Sequence, residues 1–132
     1  MLSRWFAKKE TPLTGAPAVR RQKTYSAQSG YVYQYFYEGQ RPTSPDPGTE
    51  YVFDVSADRK TSSPVSVFVS ADALESWQSQ AGRVLSSAER YAIAKMALFQ
   101  AFDERATPQQ MAAAVHVTPA AVRAILQTLD ID

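Results

Sequence analysis

The segment from Tyr31 to Tyr37 most strongly constrains the fold, because tyrosine occupies every second position in it. Side chains of a β-strand alternate between its two faces, so this period of two predicts a strand with one aromatic face. Two further segments, around residues 50–55 and 65–69, alternate apolar and polar residues in the same way. The connections between the three are short, which favours a small antiparallel sheet of about three strands.

The tyrosine row itself has two interpretations. It could be a stacking platform for single-stranded nucleic acid, served by the basic residues Arg20, Arg21 and Lys23 just upstream. It could equally be an ordinary aromatic strand face packed under a helix, since aromatic side chains dominate protein cores. We favour the second interpretation.

Two helices are predicted after the third strand. A short one is expected to begin at an Asp72 N-cap and to end at Gly82. The next begins with Ser86 followed three residues later by Glu89, the pattern of a capping box, and is expected to run to about Glu104. Apolar residues surround much of this second helix, so we expect it to be in contact on two sides.

The C-terminal segment contains two helix starts of the same chemistry. Thr107 and Thr118 are each followed by proline, and threonine is a good N-cap while proline is tolerated at the first helical position. Two short helices are therefore predicted, separated by a turn at residues 115–117. Together with the helix before them they would form a trihelical unit.

This segment resembles the helix-turn-helix motif of bacterial DNA-binding proteins over about 22 residues. Ala112 stands at the small-residue position, Val117 at the turn, and Val122 and Ile125 on the buried face of the second helix. His116 departs from the pattern, because the family usually has a left-handed glycine there.

The resemblance implies that the second helix lies in the DNA major groove. In that geometry Arg123 would pair with guanine, Gln127 with adenine, and the alanines would contact thymine methyl groups. The DNA-binding residues implied in this way are Thr118, Ala120, Ala121, Arg123, Ala124 and Gln127.

Charge is distributed unevenly along the chain. The whole chain has a net charge of +1. Residues 1–30 carry six basic side chains and one acidic one, so the other 102 residues are acidic overall. Phosphate contacts usually supply much of the affinity for DNA, and residues 86–132 have four basic groups against five acidic ones. DNA binding would therefore need the basic arm, with Arg20, Arg21 and Lys23, or a dimer.

These patterns predict an α+β protein in three parts: a flexible basic arm over 1–30, a sheet with a short helix over 31–85, and the trihelical unit over 86–132. The chain has no cysteine and one histidine, so a thiolate site or a histidine pair is excluded. We expect no catalytic residue, metal or cofactor. No export signal or membrane-spanning segment is recognisable, and we expect a cytoplasmic protein.

Two functions are compatible with these patterns. The first is a small DNA-binding regulatory or accessory protein that reads DNA through its C-terminal helix. The alternative is a protein-interaction or adaptor module, in which the C-terminal helices are structural or bind a protein partner or a second copy of the chain. The sequence identifies no small-molecule ligand.

Overall fold

The computed structural model describes residues 11–132, so the first part of the predicted basic arm, residues 1–10, lies outside the described residues. Within them, five strands form one sheet in the order β1-β2-β3-β4-β5, which curls into a half-barrel. Neighbouring strands are antiparallel except β4 and β5, which are parallel. The strands are β1 Lys23–Ser26, β2 Val32–Pro42, β3 Gly48–Ser56, β4 Ser63–Ser70 and β5 Val115–Val117.

Three α-helices and one 3₁₀ helix complete the described chain: α1 Ala71–Ala81, α2 Ser87–Glu104, the 3₁₀ helix Pro108–Ala112, and α3 Pro119–Thr128. The predicted capping box of α2 is confirmed, because the Ser86 hydroxyl accepts from the Glu89 amide at 3.1 Å and the Glu89 carboxylate accepts from the Ser86 amide at 2.9 Å. The predicted cap of α1 is wrong. Its N-cap is Ser70, while Asp72 lies in the first turn.

Helix α2 lies against the concave face of the sheet and forms the centre of the core. Tyr33 of β2 stacks on Phe102 with ring centroids 4.2 Å apart, and Tyr25 of β1 stacks on Phe99 at 4.4 Å. The other flank of α2 packs on β4 and β5. The expectation of contact on two sides is therefore confirmed. The interpretation of the tyrosine row as a core face is confirmed for Tyr33, Tyr35 and Tyr37, whereas Tyr31 is exposed.

The predicted sheet of about three strands is wrong, and one missing strand is β1. Residues 23–26, which the sequence placed in the basic arm, pair with residues 32–35 of β2. Their local sequence is polar and shows little alternation. Besides its main-chain pairing with β2, the strand is held by Tyr25, which stacks on Phe99 and donates its hydroxyl to Asp103 at 2.8 Å.

The other missing strand, β5, replaces the turn of the predicted helix-turn-helix. Val115 and Val117 are buried, whereas His116 is exposed and stacks on Phe68 of β4 at 5.1 Å. The segment before it is a 3₁₀ helix of five residues rather than an α-helix. The two short helices predicted after α2, with the turn between them, are thus corrected to a 3₁₀ helix, a strand and a helix. The turn becomes a strand because the β-branched Val115 and Val117 are buried when they pair with the edge of the sheet.

Strand β2 contains a bulge that lets the arm approach it. The pairing with β3 shifts between Tyr37 and Gly39. Gly39 has a φ of +117°, and a Cβ there would lie 2.7 Å from the carbonyl oxygen of Thr14, which forms a bridge with Gln40. A bulge increases local twist, so this position contributes to the curl of the sheet.

Among residues 11–132, no helix is both long enough and apolar enough to cross a membrane.

Replacing Phe102 by alanine should reduce the free energy of unfolding by about 3–5 kcal/mol, because it removes the buried ring on which Tyr33 stacks and leaves a cavity. Urea unfolding followed by circular dichroism measures the loss. The matched control is Phe68→Ala, whose ring is only partly buried on the outer face. Equal losses in the two variants would contradict the central role of α2.

Glu89 should make the start of α2 sensitive to acid. Hydrogen bonds from the Arg83 guanidinium and the Ser86 amide lower the pKa of Glu89 from 4.5 to about 2. A folded-state pKa below the unfolded one means that the stabilisation is present above pH 4.5 and is lost as the pH falls toward 2. Glu89→Gln should therefore reduce the difference in melting temperature between neutral pH and about pH 3. Glu104→Gln, at the exposed end of the same helix, should leave that difference unchanged.

Candidate functional site

The residues implied in DNA reading lie on the outer face of α3. Val122 and Ile125 are buried as predicted, and the six candidates point away from the core. Ala121 is half-buried, and the other five are exposed: Thr118, Ala120, Arg123, Ala124 and Gln127. The structure thus presents these side chains together on one face of one helix.

Two of these polar groups are already engaged. The Thr118 hydroxyl caps α3 by accepting from the Ala121 amide at 3.1 Å. The Arg123 guanidinium donates to the Ser76 hydroxyl of α1 at 2.9 Å. Arg123 therefore links α3 to α1.

Arg20 of the basic arm lies across the outer face of β2 and β3. Arg20 binds Glu38 at 3.2 Å and Asp54 at 3.1 Å, and its guanidinium covers the Phe36 ring at 3.6 Å. Its charge is compensated by these two carboxylates. Arg21 and Lys23 are exposed and form no ion pair with any described residue.

A cleft of about 580 Å³ lies at the end of the curled sheet, between the strands and the 3₁₀ helix. Its floor is made of buried side chains from three strands and the 3₁₀ helix: Tyr33, Val55, Val65 and Met111. Its rim is exposed and mostly polar: Tyr31, Asp58, Thr61, Ser62, Ser63 and Gln109. Ala57 and Pro108 complete the lining.

Tyr33, on the floor of this cleft, carries an unsatisfied polar group. The residue is 1% exposed, and its hydroxyl oxygen has no hydrogen-bond partner among the described residues. Burial raises the pKa of the Tyr33 hydroxyl, Tyr31 raises it further, and Arg105 opposes the shift. The group is therefore a neutral hydroxyl at neutral pH. A buried hydroxyl without a partner costs stability, and such groups in folded proteins call for an explanation.

The 3₁₀ helix forms one wall of the cleft, and Arg105 holds this helix in place. Its guanidinium donates to the carbonyl oxygens of Gln110 at 2.9 Å, Ala113 at 2.6 Å and Ala114 at 3.1 Å. These carbonyls belong to the 3₁₀ helix and to the residues before β5, where intrahelical partners are lacking. The arginine is a structural clamp that donates three hydrogen bonds to main-chain oxygens.

The one carboxylate in the lining is also saturated. Asp58 accepts from the amides of Thr61 and Lys60 at 2.8 Å, and from the hydroxyls of Thr61 at 2.9 Å and Ser56 at 3.2 Å. These bonds, chiefly from the Thr61 and Lys60 amides, hold the pKa of Asp58 well below its usual range. Asp58 therefore orders the turn between β3 and β4 and stays charged at neutral pH.

A second, smaller groove of about 280 Å³ lies on the opposite face of β2 and β3, beside Arg20 and Phe36. Gln34 is 4% exposed there, and its carbonyl oxygen has no partner among the described residues. Elsewhere, no group of three or more acidic or histidine side chains in residues 11–132 could hold a metal ion.

The sequence predicted the candidate residues on the outer face of α3, but it did not predict the cleft. Tyr33 was visible only as a member of the tyrosine row, and the segment around Asp58 only as a polar turn. Nothing in the local sequence brings residues 31–33, 55–65 and 108–111 together, because their meeting depends on how the sheet curls.

Tyr33→Phe should leave the free energy of unfolding unchanged or raise it by about 1–2 kcal/mol, since it deletes a buried hydroxyl that has no partner. Tyr25→Phe is the matched control, because it removes a hydroxyl that donates to Asp103 and should lower stability by about 1 kcal/mol. Chemical denaturation measures both. If Tyr33→Phe lost as much stability as Tyr25→Phe, the Tyr33 hydroxyl would have a partner within the fold.

Comparison with known proteins adds no functional assignment. No protein-family model matches the chain, and no curated protein or solved structure matches it significantly. The interpretation of the site rests on the geometry of its residues.

Proposed function

We propose that this protein is a non-catalytic protein-interaction module that receives an anchor side chain of a partner in the cleft beside Tyr33. The observation that carries the proposal is the combination of a buried, unpartnered hydroxyl on the cleft floor with a large aromatic residue, Tyr31, left 39% exposed at its rim. Buried pockets flanked by exposed tyrosine are typical of the anchor points of protein interfaces.

The structural role of the C-terminal segment supports this assignment. It contributes six buried side chains to the common core: Met111, Val115, Val117, Val122, Ile125 and Leu126. Helix α3 also packs along α1, and Arg123 links the two helices through Ser76. The segment thus closes the curled sheet, which is the role that the adaptor hypothesis gives it.

DNA binding through α3 is the second candidate, and the exposure of Arg123 and Gln127 favours it. The balance of charge opposes it. Arg123 is the one basic side chain of α3, and Arg20 of the arm is held by two carboxylates, Glu38 and Asp54. A reading helix with one cation, and without a basic surface around it, has little phosphate affinity.

We propose a binding protein rather than an enzyme, and we propose that it is cytoplasmic. In the cleft, the one carboxylate is saturated by hydrogen bonds, and the lining has neither histidine nor a second acidic group to act with it. The cytoplasmic placement rests on the absence of cysteine from the whole sequence, which suits a reducing compartment.

Peptides selected on the immobilised full-length protein from a random display library should share an aromatic residue and bind with measurable affinity in fluorescence polarisation. Tyr31→Ser should weaken that binding at least about tenfold, as expected for an interface anchor. Val84→Ser, which removes an apolar side chain 73% exposed elsewhere, should leave it unchanged.

The same preparations discriminate between the two candidates. Salt-dependent retardation of DNA fragments that is lost in Arg123→Ala, together with no peptide selection, would overturn the proposal in favour of DNA binding. Sedimentation over a range of protein concentrations tests whether the partner is a second copy of the chain. In that case Tyr31→Ser should shift the equilibrium toward the monomer.

A further inference from the structure

We infer that the free edge of β5 is a second binding site, at which an extended, apolar segment of a partner protein pairs with β5 as a sixth strand of the sheet. This site is separate from the cleft beside Tyr33 and does not depend on the proposed function. The inference follows from three properties: an unpaired strand edge, a groove along that edge, and small side chains in the walls of the groove.

The unpaired edge is a consequence of the strand order. β5 is the last strand of the sheet and pairs with β4 alone. Successive residues of a strand direct their main-chain N–H and C=O groups to opposite edges, so at least one of Val115, His116 and Val117 directs both groups away from β4. Within the described part of the chain, no hydrogen bond is formed with that edge.

A groove of about 360 Å³ borders β5, and all three residues of the strand line it. Side chains of a strand alternate between its two faces, so a groove that borders three consecutive residues follows the main chain along an edge. Since β4 occupies one edge, the groove follows the free one. The unpaired N–H and C=O groups of β5 are therefore accessible to another extended main chain, which is the chemical complement of a strand edge.

The walls of the groove leave room for such a main chain. Ala97 and Ala101, which lie one turn apart on α2, and Ala121 in the first turn of α3 line it, and Gln100 and Glu104 complete the wall on α2. An alanine side chain is a single methyl group. These positions therefore allow an added strand to approach β5 to the usual spacing of about 4.8 Å between strands.

The lining favours an apolar segment without net charge. The charged residues that line the groove, Glu104 and Arg105, have opposite signs. In an added strand, the side chains on one face would lie against the alanines of α2, and the alternate ones would lie on the outer face beside His116. We therefore expect a valine- or leucine-like residue at the centre of the segment and no proline there, because proline has no N–H to donate.

A loose segment of a partner fits this site better than the β5 strand of a second copy. β5 lies between residues of α2 and α3 that line the groove. The β5 strand of a second copy would lie between the same helices, so the two recessed edges could not meet.

Peptides selected from a random heptapeptide display library on the immobilised full chain are the probes. We expect a group of them whose binding, measured by fluorescence polarisation, weakens at least about tenfold in Gln100→Trp, because the indole fills the groove. Gln100 is exposed, so the substitution leaves the core unchanged, and thermal unfolding verifies this. Gln127→Trp is the matched control, because Gln127 is an exposed glutamine of α3 that does not line the groove. It should retain full binding.

Main-chain pairing is tested on the peptides themselves. N-methylation of the central residue removes one main-chain donor and should weaken binding about fivefold or more. Valine-to-serine or leucine-to-serine replacement at the centre keeps that donor and tests the apolar contact separately. In NMR spectra of the full chain, the unmodified peptide should shift the amide signals of residues 115–117 and slow the solvent exchange of at least one of them.

The outcomes separate this site from the cleft. Peptides that lose binding in Tyr31→Ser but not in Gln100→Trp, with no second group, would overturn the inference and leave the proposed function intact. Equal binding of N-methylated and unmodified peptides would overturn strand pairing. Selection of no peptide at all would overturn both proposals. A dimer detected by sedimentation that Gln100→Trp dissociates and Gln127→Trp does not would show that the occupant is a second copy, against the inference.

Discussion

The stacking of α2 against the concave face of the sheet is the interaction on which the rest of the structure depends. Phe99 and Phe102 meet Tyr25 and Tyr33 ring to ring, while the opposite flank of the helix is covered by β4 and β5. A flat sheet can cover one face of a helix, but a curled one covers several. A curled sheet buries both flanks of α2, whereas a flat one would leave one flank exposed. Burial of these aromatic and apolar side chains therefore favours the curl.

The cleft is a consequence of that arrangement. Tyr33 is fixed by stacking on Phe102, and it lies on the floor of the cleft at the end of the curled sheet. Arg105, the residue directly after α2, holds the 3₁₀ helix across the opening. Packing in the core and the shape of the proposed binding site are thus determined by the same few residues at the C-terminal end of one helix.

Several local features could be predicted because their chemistry is contained in a few neighbouring residues. The capping box of Ser86 and Glu89, the cap at Thr118 and the buried faces of β3 and β4 belong to this group. The strands β1 and β5 could not be predicted in this way. The four residues of β1 and the three residues of β5 carry too little local signal, and each segment forms a strand because a neighbouring strand offers unpaired main-chain groups. Val115 and Val117 flanking a polar residue were the available hint.

The sequence by itself determined the elements: an α+β chain, strands with one apolar face, and a long helix with apolar residues on more than one side. It also determined which side chains of α3 face outward, because helical periodicity is a local property. Only the tertiary structure decided that the segment resembling a helix-turn-helix joins the sheet, and that Tyr33, Asp58 and Met111 border one cleft. Contacts between residues far apart in the chain depend on how the sheet curls around α2, and that curvature is set by packing across the whole core rather than by any short segment.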